Sequence, residues 1–407
     1  MTRRRPTTRH LDPTHPLARP PRRALLAALG SLIALVAVPL PASGVRQADA
    51  TSGRPIATIV GYNAQNLFDD RDDPLDYAEF TSAGGWTRDA YYDRLDRLAR
   101  TIRLATRAGG SRRTPDLVVL AELESPSVGF DLAHDYLRRF RFISGSAERT
   151  TATDVVVLSR RPPERMRVHR VVEVALVPAP PSGSERLAAP HGARTLWRSR
   201  SLVDVTVALR RPWLERVGIR VTRPASSHRA EPRLRLLAAH WKSQSGGERA
   251  TEPRRLLEAA LVVGVLGDTT AAPVATRGSG TTAPREVSLL VGDLNEDLYE
   301  YEQHDGAWQT ALMPADAYDG RRDSGSPATP AAGPGDTSRP AIVFDDAWRT
   351  TAGSAGEPRH APLFRSLWPA DAHGGTYFYR GEWERLDHAF LLAPPETGGT
   401  LRVVPAP

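Results

Sequence analysis

The chain contains no cysteine, which excludes disulfides, thiolate metal sites, a cysteine nucleophile and lipid attachment through sulfur. Any metal must therefore rest on oxygen or imidazole ligands. Lysine is almost as scarce, with Lys242 the only one among 54 basic residues. Such lopsided usage follows genome composition, so the one exception is worth locating. Glycine and proline, at 32 and 35 of 407 residues, stay below the roughly 25–30% that marks low-complexity disorder. No internal repeat occurs, and past residue 40 no second long apolar run appears. Collagen, coiled-coil and wholly disordered chains are excluded.

The net charge of +7 is unevenly placed. Residues 1–50 hold eight arginines against Asp12 and Asp49, so they supply +6 and leave about +1 for the remaining chain. Bulk charge is therefore no argument for nucleic-acid binding. Within the first fifty residues, Arg22-Arg23 precede an apolar run, Ala24 to Leu40, and Ala48-Asp49-Ala50 follows. A basic region, an apolar core and an A-x-A site are the marks of a secretory signal peptide, expected to be cut after Ala50. Arg22-Arg23-Ala-Leu-Leu also looks like a weak twin-arginine signal. The expected product is secreted or periplasmic, monomeric, and free of stable membrane association after cleavage.

No linker divides residues 51–407 into two compositional regimes, so one domain is expected there. Short β-branched runs at 57–63, 117–121, 154–158, 202–207, 234–239, 287–291 and 386–391 read as strands. Between the first two, Tyr91, Leu95, Leu98, Ile102 and Ala105 recur at helical spacing ahead of Gly109-Gly110, which predicts one amphipathic helix with a glycine stop. A second helix is expected over 254–266, with Pro253 at its start. Segments 269–286 and 318–340, rich in Thr, Ala, Pro, Gly and Ser without period, read as surface insertions.

One pattern repeats five times: an apolar strand ends on polar residues. Asn63 and Gln65 follow the first run, Glu122 the second, His240 the run at 234–239, Asp293 and Asn295 the run at 287–291, and Asp387 interrupts the last. Any one of these is more often a turn than a site. Their joint occurrence predicts a polar site gathered from several strand termini.

These residues lie in segments that carry a resemblance. Gly61-Tyr-Asn-Ala-Gln-Asn-Leu-Phe-Asp69, Pro115-Asp-Leu-Val-Val-Leu-Ala-Glu-Leu-Glu124, His240-Trp-Lys-Ser-Gln-Ser-Gly-Gly247, Gly292-Asp-Leu-Asn-Glu296 and Arg385-Leu-Asp-His388 resemble the ordered motifs of the endonuclease/exonuclease/phosphatase superfamily, in its deoxyribonuclease-like, exported bacterial form. The resemblance implies an α/β four-layered sandwich, two mixed β-sheets face to face with helices outside. It also implies metal-dependent cleavage of phosphate esters, most naturally by a nuclease acting on extracellular nucleic acid.

By that resemblance Glu122 is the principal metal ligand and Asn63 the amide that helps hold the ion, with Mg²⁺ expected and Mn²⁺ or Ca²⁺ as substitutes. A hard cation of this kind favours one or two carboxylates and retained waters. Gln65 stands where the family more often has an acidic residue. Asp293 and Asn295 match the pair that orients the attacking water and the scissile phosphate. His240 matches a donor to that phosphate, and Lys242 is a candidate substrate contact two residues on. Asp387 matches the aspartate that orients the family's catalytic histidine. His388 follows it on a strand and is expected on the opposite face.

The family's C-terminal Ser-Asp-His does not occur in the sequence. Two expectations follow: an edge of the sheet left unpaired, and reduced turnover. Alternatives to a nuclease are a phosphomonoesterase or phospholipid phosphodiesterase of the same fold, whose choice of substrate would reside in loops such as 164–200 and 318–340, or a catalytically impaired phosphate-binding protein.

Overall fold

The computed structural model describes residues 32–37, 57–108, 114–146, 151–170, 174–176, 195–197, 199–209, 233–270, 286–315, 317, 342–345, 363–367, 376–379, 382–392 and 402–404. Eighteen strands are found among them. They are β1 Leu32–Ala37, β2 Thr58–Leu67, β3 Leu117–Leu123, β4 Phe142–Gly145, β5 Asp154–Ser159, β6 Arg165–His169, β7 Val174–Leu176, β8 Thr195–Trp197 and β9 Leu202–Ala208, followed by β10 Arg233–His240, β11 Glu286–Asp293, β12 Leu312–Pro314, β13 Ile342–Asp345, β14 Leu363–Ser366, β15 Tyr377–Tyr379, β16 Glu382–Glu384, β17 Asp387–Leu392 and β18 Arg402–Val404. The helices are α1 Arg88–Ala108, α2 Pro126–Asp131, α3 Glu248–Thr270 and α4 Glu300–Gln303.

Two mixed sheets form the frame, ordered β18-β1-β2-β3-β5-β4 and β12-β13-β14-β17-β11-β10-β9-β6, with β7-β8 and β15-β16 as separate ribbons. Each large sheet contains a parallel pair, β2 with β3 and β10 with β11. A parallel pair cannot be joined by a tight turn and needs a crossover. Helix α1 lies in the first crossover and α3 in the second.

Alternation of side chains then produces the layers. Inward residues Ile59, Val119, Val155 and Val157 of the first sheet meet Val203, Val205, Leu234, Leu236, Leu289 and Val291 of the second in one buried cluster. Outward residues Val60, Val118, Leu120 and Val156 pack under Tyr91, Leu95, Leu98 and Ile102 of α1. On the other side, Leu237, Ala239, Leu290 and Phe390 pack under Ala259, Val262 and Leu266 of α3. The result is the four-layered α/β sandwich. Each wholly buried aliphatic side chain contributes about 1.5–3 kcal/mol relative to exposure.

Three details depart from the sequence reading. Helix α3 begins at Glu248, so Pro253 lies inside it. Gly246 and Gly247, at φ 107° and 102°, turn the chain, and Thr251 N donates to Gly247 O at 3.0 Å, which starts the helix ahead of the proline. Residues 32–37, from the leader's apolar run, form β1, antiparallel to both β2 and β18. The first sheet therefore continues beyond β2 through β1 to β18. Of the two insertions, 269–270 end α3 and 286 opens β11, while 271–285 and all of 318–340 lie outside the described residues.

Candidate active site

Strand register sets the site. In the parallel β10–β11 pair His240 lies opposite Asp293, and in the antiparallel β11–β17 pair Asp293 lies opposite Asp387. In the first sheet Asn63 lies opposite Ala121, one residue before Glu122. The carboxyl ends of two parallel pairs thus face each other at one end of the sandwich, the place where open α/β sheets gather ligands.

Parity explains most of the inward aim. Asn63, His240, Asp293 and Asp387 continue the inward alternation of Ile59, Leu236, Val291 and Ala389. Glu122 does not, since it shares parity with outward Val118 and Leu120. A local break in the ladder corrects this: the β3–β5 register shifts between Leu120 and Leu123, and Glu122 adopts φ 58°. A bulge of this kind re-aims a side chain. Gln65 and Asn66 also have positive φ, 55° and 59°, where the β2–β3 register slips between Asn63 and Leu67. Arg94 of α1 clamps that irregularity by donating to the carbonyls of Ala64, Gln65 and Asn66 at 2.8, 2.6 and 3.0 Å. Left-handed backbone at non-glycine residues costs of order 1–3 kcal/mol each and collects at functional sites.

The chemistry is compact. Asn63 Nδ2 donates to Glu122 Oε1 at 3.0 Å and to Asp293 Oδ2 at 2.7 Å, which bridges the two sheets. Asn66 N donates to Glu122 Oε2 at 2.9 Å. His240 Nε2 sits 3.6 Å from Glu122 Oε1 and 3.8 Å from Asp293 Oδ2, yet neither ring nitrogen of this buried imidazole has a hydrogen-bond partner. Burial first, then the positive charges of Arg200 and Lys242, hold His240 well below its ordinary pKa, so it is neutral. Asp293 is pushed up to about 7 by burial and then by the charge of Glu122, against the bonds it accepts from Asn63 and the Asn295 N–H.

A buried imidazole with both nitrogens unpartnered converges here with two carboxylates whose oxygens accept from Asn63, Asn66 N and Asn295 N. Oxygen and imidazole ligands within 4.8 Å of one another suit a divalent cation. In this arrangement Asn63 organises the carboxylates, its own Oδ1 accepting from Gln65 N at 2.8 Å.

The other expected residues divide into two sets. Asn295, at φ 52°, donates through Nδ2 to Trp241 O at 3.0 Å, and its N–H donates to Asp293 Oδ1 at 3.0 Å. It locks the ends of β10 and β11 together. Asp387 is buried beside Asp293, and its N–H donates to Thr376 Oγ1 at 3.1 Å. Lys242 is not brought to the cluster: its Nζ donates to Ser243 O at 2.8 Å and Ser245 O at 3.2 Å, curling onto its own loop. His388 turns to the outer face, stacks on Phe390 with centroids 5.3 Å apart, and donates through Nε2 to Glu296 O at 2.7 Å. Burial pushes its pKa down to about 4.

Arg200 was not marked by any motif. It donates to Trp241 O at 2.5 Å, and its charge acts on both His240 and Asp293. It precedes β9 in a stretch without periodicity, so only the fold reveals it. Gly292 also shows its reason here: a Cβ on it would lie 1.8 Å from Ala239 O.

No family model matches the sequence, and no curated protein does. Among solved structures, TDP2 from Caenorhabditis elegans aligns at 11% identity and TM-score 0.36, covering 76% of this chain and 61% of that one. Sphingomyelinase C from Streptomyces griseocarneus aligns at 15% identity and TM-score 0.33, covering 82% and 98%. An endonuclease/exonuclease/phosphatase family protein from Bacteroides thetaiotaomicron aligns at 12% identity and TM-score 0.36, covering 82% of each. The chain spans about 61% of the length of the C. elegans protein. This chain is a two-sheet α/β sandwich with polar residues of five strands gathered at one end.

Proposed function

We propose that the chain is an exported, divalent-metal-dependent phosphodiesterase of the endonuclease/exonuclease/phosphatase superfamily, with nucleic acid as its substrate. The observation that carries this reading is the convergence of Glu122, His240 and Asp293 around an imidazole nitrogen without a partner. A cation held by Glu122 and Asp293, with His240 beside them, would offset charge on the phosphate as the ester is cleaved. The protein's own groups do the positioning. Asp293 and Asn295 orient a water in line with the phosphorus, Asn63 ties the two carboxylates together, and Arg200 adds a fixed positive charge beside His240 and Asp293. Water oxygen bonds to phosphorus, the P–O ester bond breaks, and the leaving oxygen takes up a proton.

Relaxation of supercoiled plasmid DNA, run beside hydrolysis of bis-nitrophenyl phosphate with and without Mg²⁺, tests the reading. Metal-dependent cleavage of both supports it. Turnover of the generic diester without any nick in the plasmid removes nucleic acid as the substrate, and metal-independent turnover removes the centre. Export is tested by N-terminal sequencing of secreted protein, which is expected to begin at Thr51; an intact Met1 in the membrane fraction contradicts it.

A further inference from the structure

At the opposite end of the first sheet lies a cavity of about 310 Å³ lined by four arginines, Arg103, Arg107, Arg138 and Arg139, together with Tyr136 and Thr114. Arg103 and Arg107 come from the last turns of α1, Arg138 and Arg139 from the loop that precedes β4, and Thr114 from the approach to β3. Among the described residues no carboxylate lines it. Thr114 and Glu122 are separated by the full run of β3, about 25 Å at 3.3 Å per residue, so this cavity is not the catalytic end.

Four exposed guanidinium groups around one opening repel each other weakly through water and together favour an anion placed between them. The ordinary anion is a neighbouring carboxylate, as Asp116 serves Arg160 at 3.3 Å close by. Here that does not happen. Arg103 donates to the carbonyl of Tyr136 at 2.5 Å, and among the described residues Arg107, Arg138 and Arg139 take part in no ion pair. The dipole at the end of α1 favours a cation in its last turn. That accounts for Arg107, which sits there, but not for Arg138 and Arg139, which belong to another element.

We propose that this cavity is an anion site for a small soluble phosphorylated ligand of nucleotide size. Guanidinium groups present paired N–H donors in a fork that matches phosphate oxygens, and their weak hydration makes them suited to it. The volume is at the lower end of small-molecule sites. A concave opening also fits a discrete phosphoryl group better than the plane of a membrane.

The test is calorimetric titration of the full chain, without added metal, using thymidine monophosphate and thymidine as probes. The expected result is saturable binding of the monophosphate near one per chain and none of the nucleoside. Arg107→Gln and Arg139→Gln are expected to weaken it by about tenfold or more, the range of a lost charge-assisted hydrogen bond. Both variants should keep the parent's circular dichroism and its turnover of bis-nitrophenyl phosphate, while Glu122→Gln should keep the binding. Should either variant fail to fold, Arg138→Gln, on the exposed loop, replaces it. Binding lost in Glu122→Gln but kept in the arginine variants would overturn the proposal. So would equal binding of thymidine, or no binding of the monophosphate while the chain sediments with phosphatidylglycerol vesicles.

Discussion

Two clusters of carboxylates, reached from β11 through Asp293 and Glu296, differ in what surrounds them. Glu122 and Asp293 meet His240, whose ring nitrogens have no partner. Glu252, Glu296 and Glu300 meet Arg255, whose guanidinium is fully enclosed: it donates from Nε to Glu296 at 3.1 Å and also bonds Glu252, Glu300, Thr251 Oγ1 and the Glu248 carbonyl. Arg255 holds these carboxylates together, although Glu252 Oε1 stays without a partner, and ties α3 to the loop after β11. In the first cluster it is the imidazole that is left without a partner. Buried polar groups are nearly always satisfied, so an imidazole with two bare nitrogens sets the first cluster apart from the second, where a guanidinium donates to the acids around it.

The comparison breaks most sharply by substitution at its two centres. Glu122→Gln is expected to lower metal-dependent turnover by about 10²-fold or more with little change in thermal midpoint, as read by steady-state kinetics beside calorimetry. Arg255→Met is expected to do the reverse, costing about 3–5 kcal/mol by leaving buried carboxylates without their cation, as read by urea unfolding. If Arg255→Met unfolds no more easily than the parent, the structural network is misassigned.

A smaller effect comes from pH. Burial pushes Glu300 up to about 8 and Glu296 well above the ordinary carboxylate range, because three acids share one arginine. Glu300 therefore keeps in the folded state a proton that it releases near 4.5 when unfolded. Its contribution to stability is complete below pH 4.5 and is lost as pH rises through about 8. Thermal midpoints measured from pH 5 to 8.5 should fall, and Glu300→Gln should flatten part of that fall. A parent midpoint that rises over this window contradicts the sign.

The smallest expected effect is at His388. Its imidazole is neutral, faces the outer layer and holds the Glu296 carbonyl. His388→Ala should change turnover by less than about tenfold while loosening that tie. A loss within the roughly 10²- to 10⁴-fold range of a missing general base would place it in the reaction instead.

Much of this was legible in the sequence, for a physical reason. Strands that alternate or run apolar and carry Asn63, His240, Asp293 or Asp387 at or near one end have their own parity, so the polar end of each could be read directly. The helix over 88–108 declared its face through Tyr91, Leu95, Leu98 and Ile102. Glu122 was found by resemblance, but its aim depends on a bulge that alternation cannot foresee. Arg200 enters from a non-periodic stretch, and its role exists only once β9 is placed beside β10. Lys242 drew notice as the sole lysine, yet its ammonium is engaged by neighbouring loop carbonyls. Pro253 marked a helix start in the sequence and proved interior, because the glycine pair at 246–247 set the start earlier.

The central claim is that Glu122, His240 and Asp293 together hold a divalent cation. Calorimetric titration of the full chain with Mn²⁺, in parallel with Glu122→Gln and Asp293→Asn, tests it directly. One saturable site at this centre is expected in the parent, with affinity reduced by tenfold or more in each variant, an order set by the loss of one charged ligand to a hard cation. Affinities unchanged in both variants would contradict it.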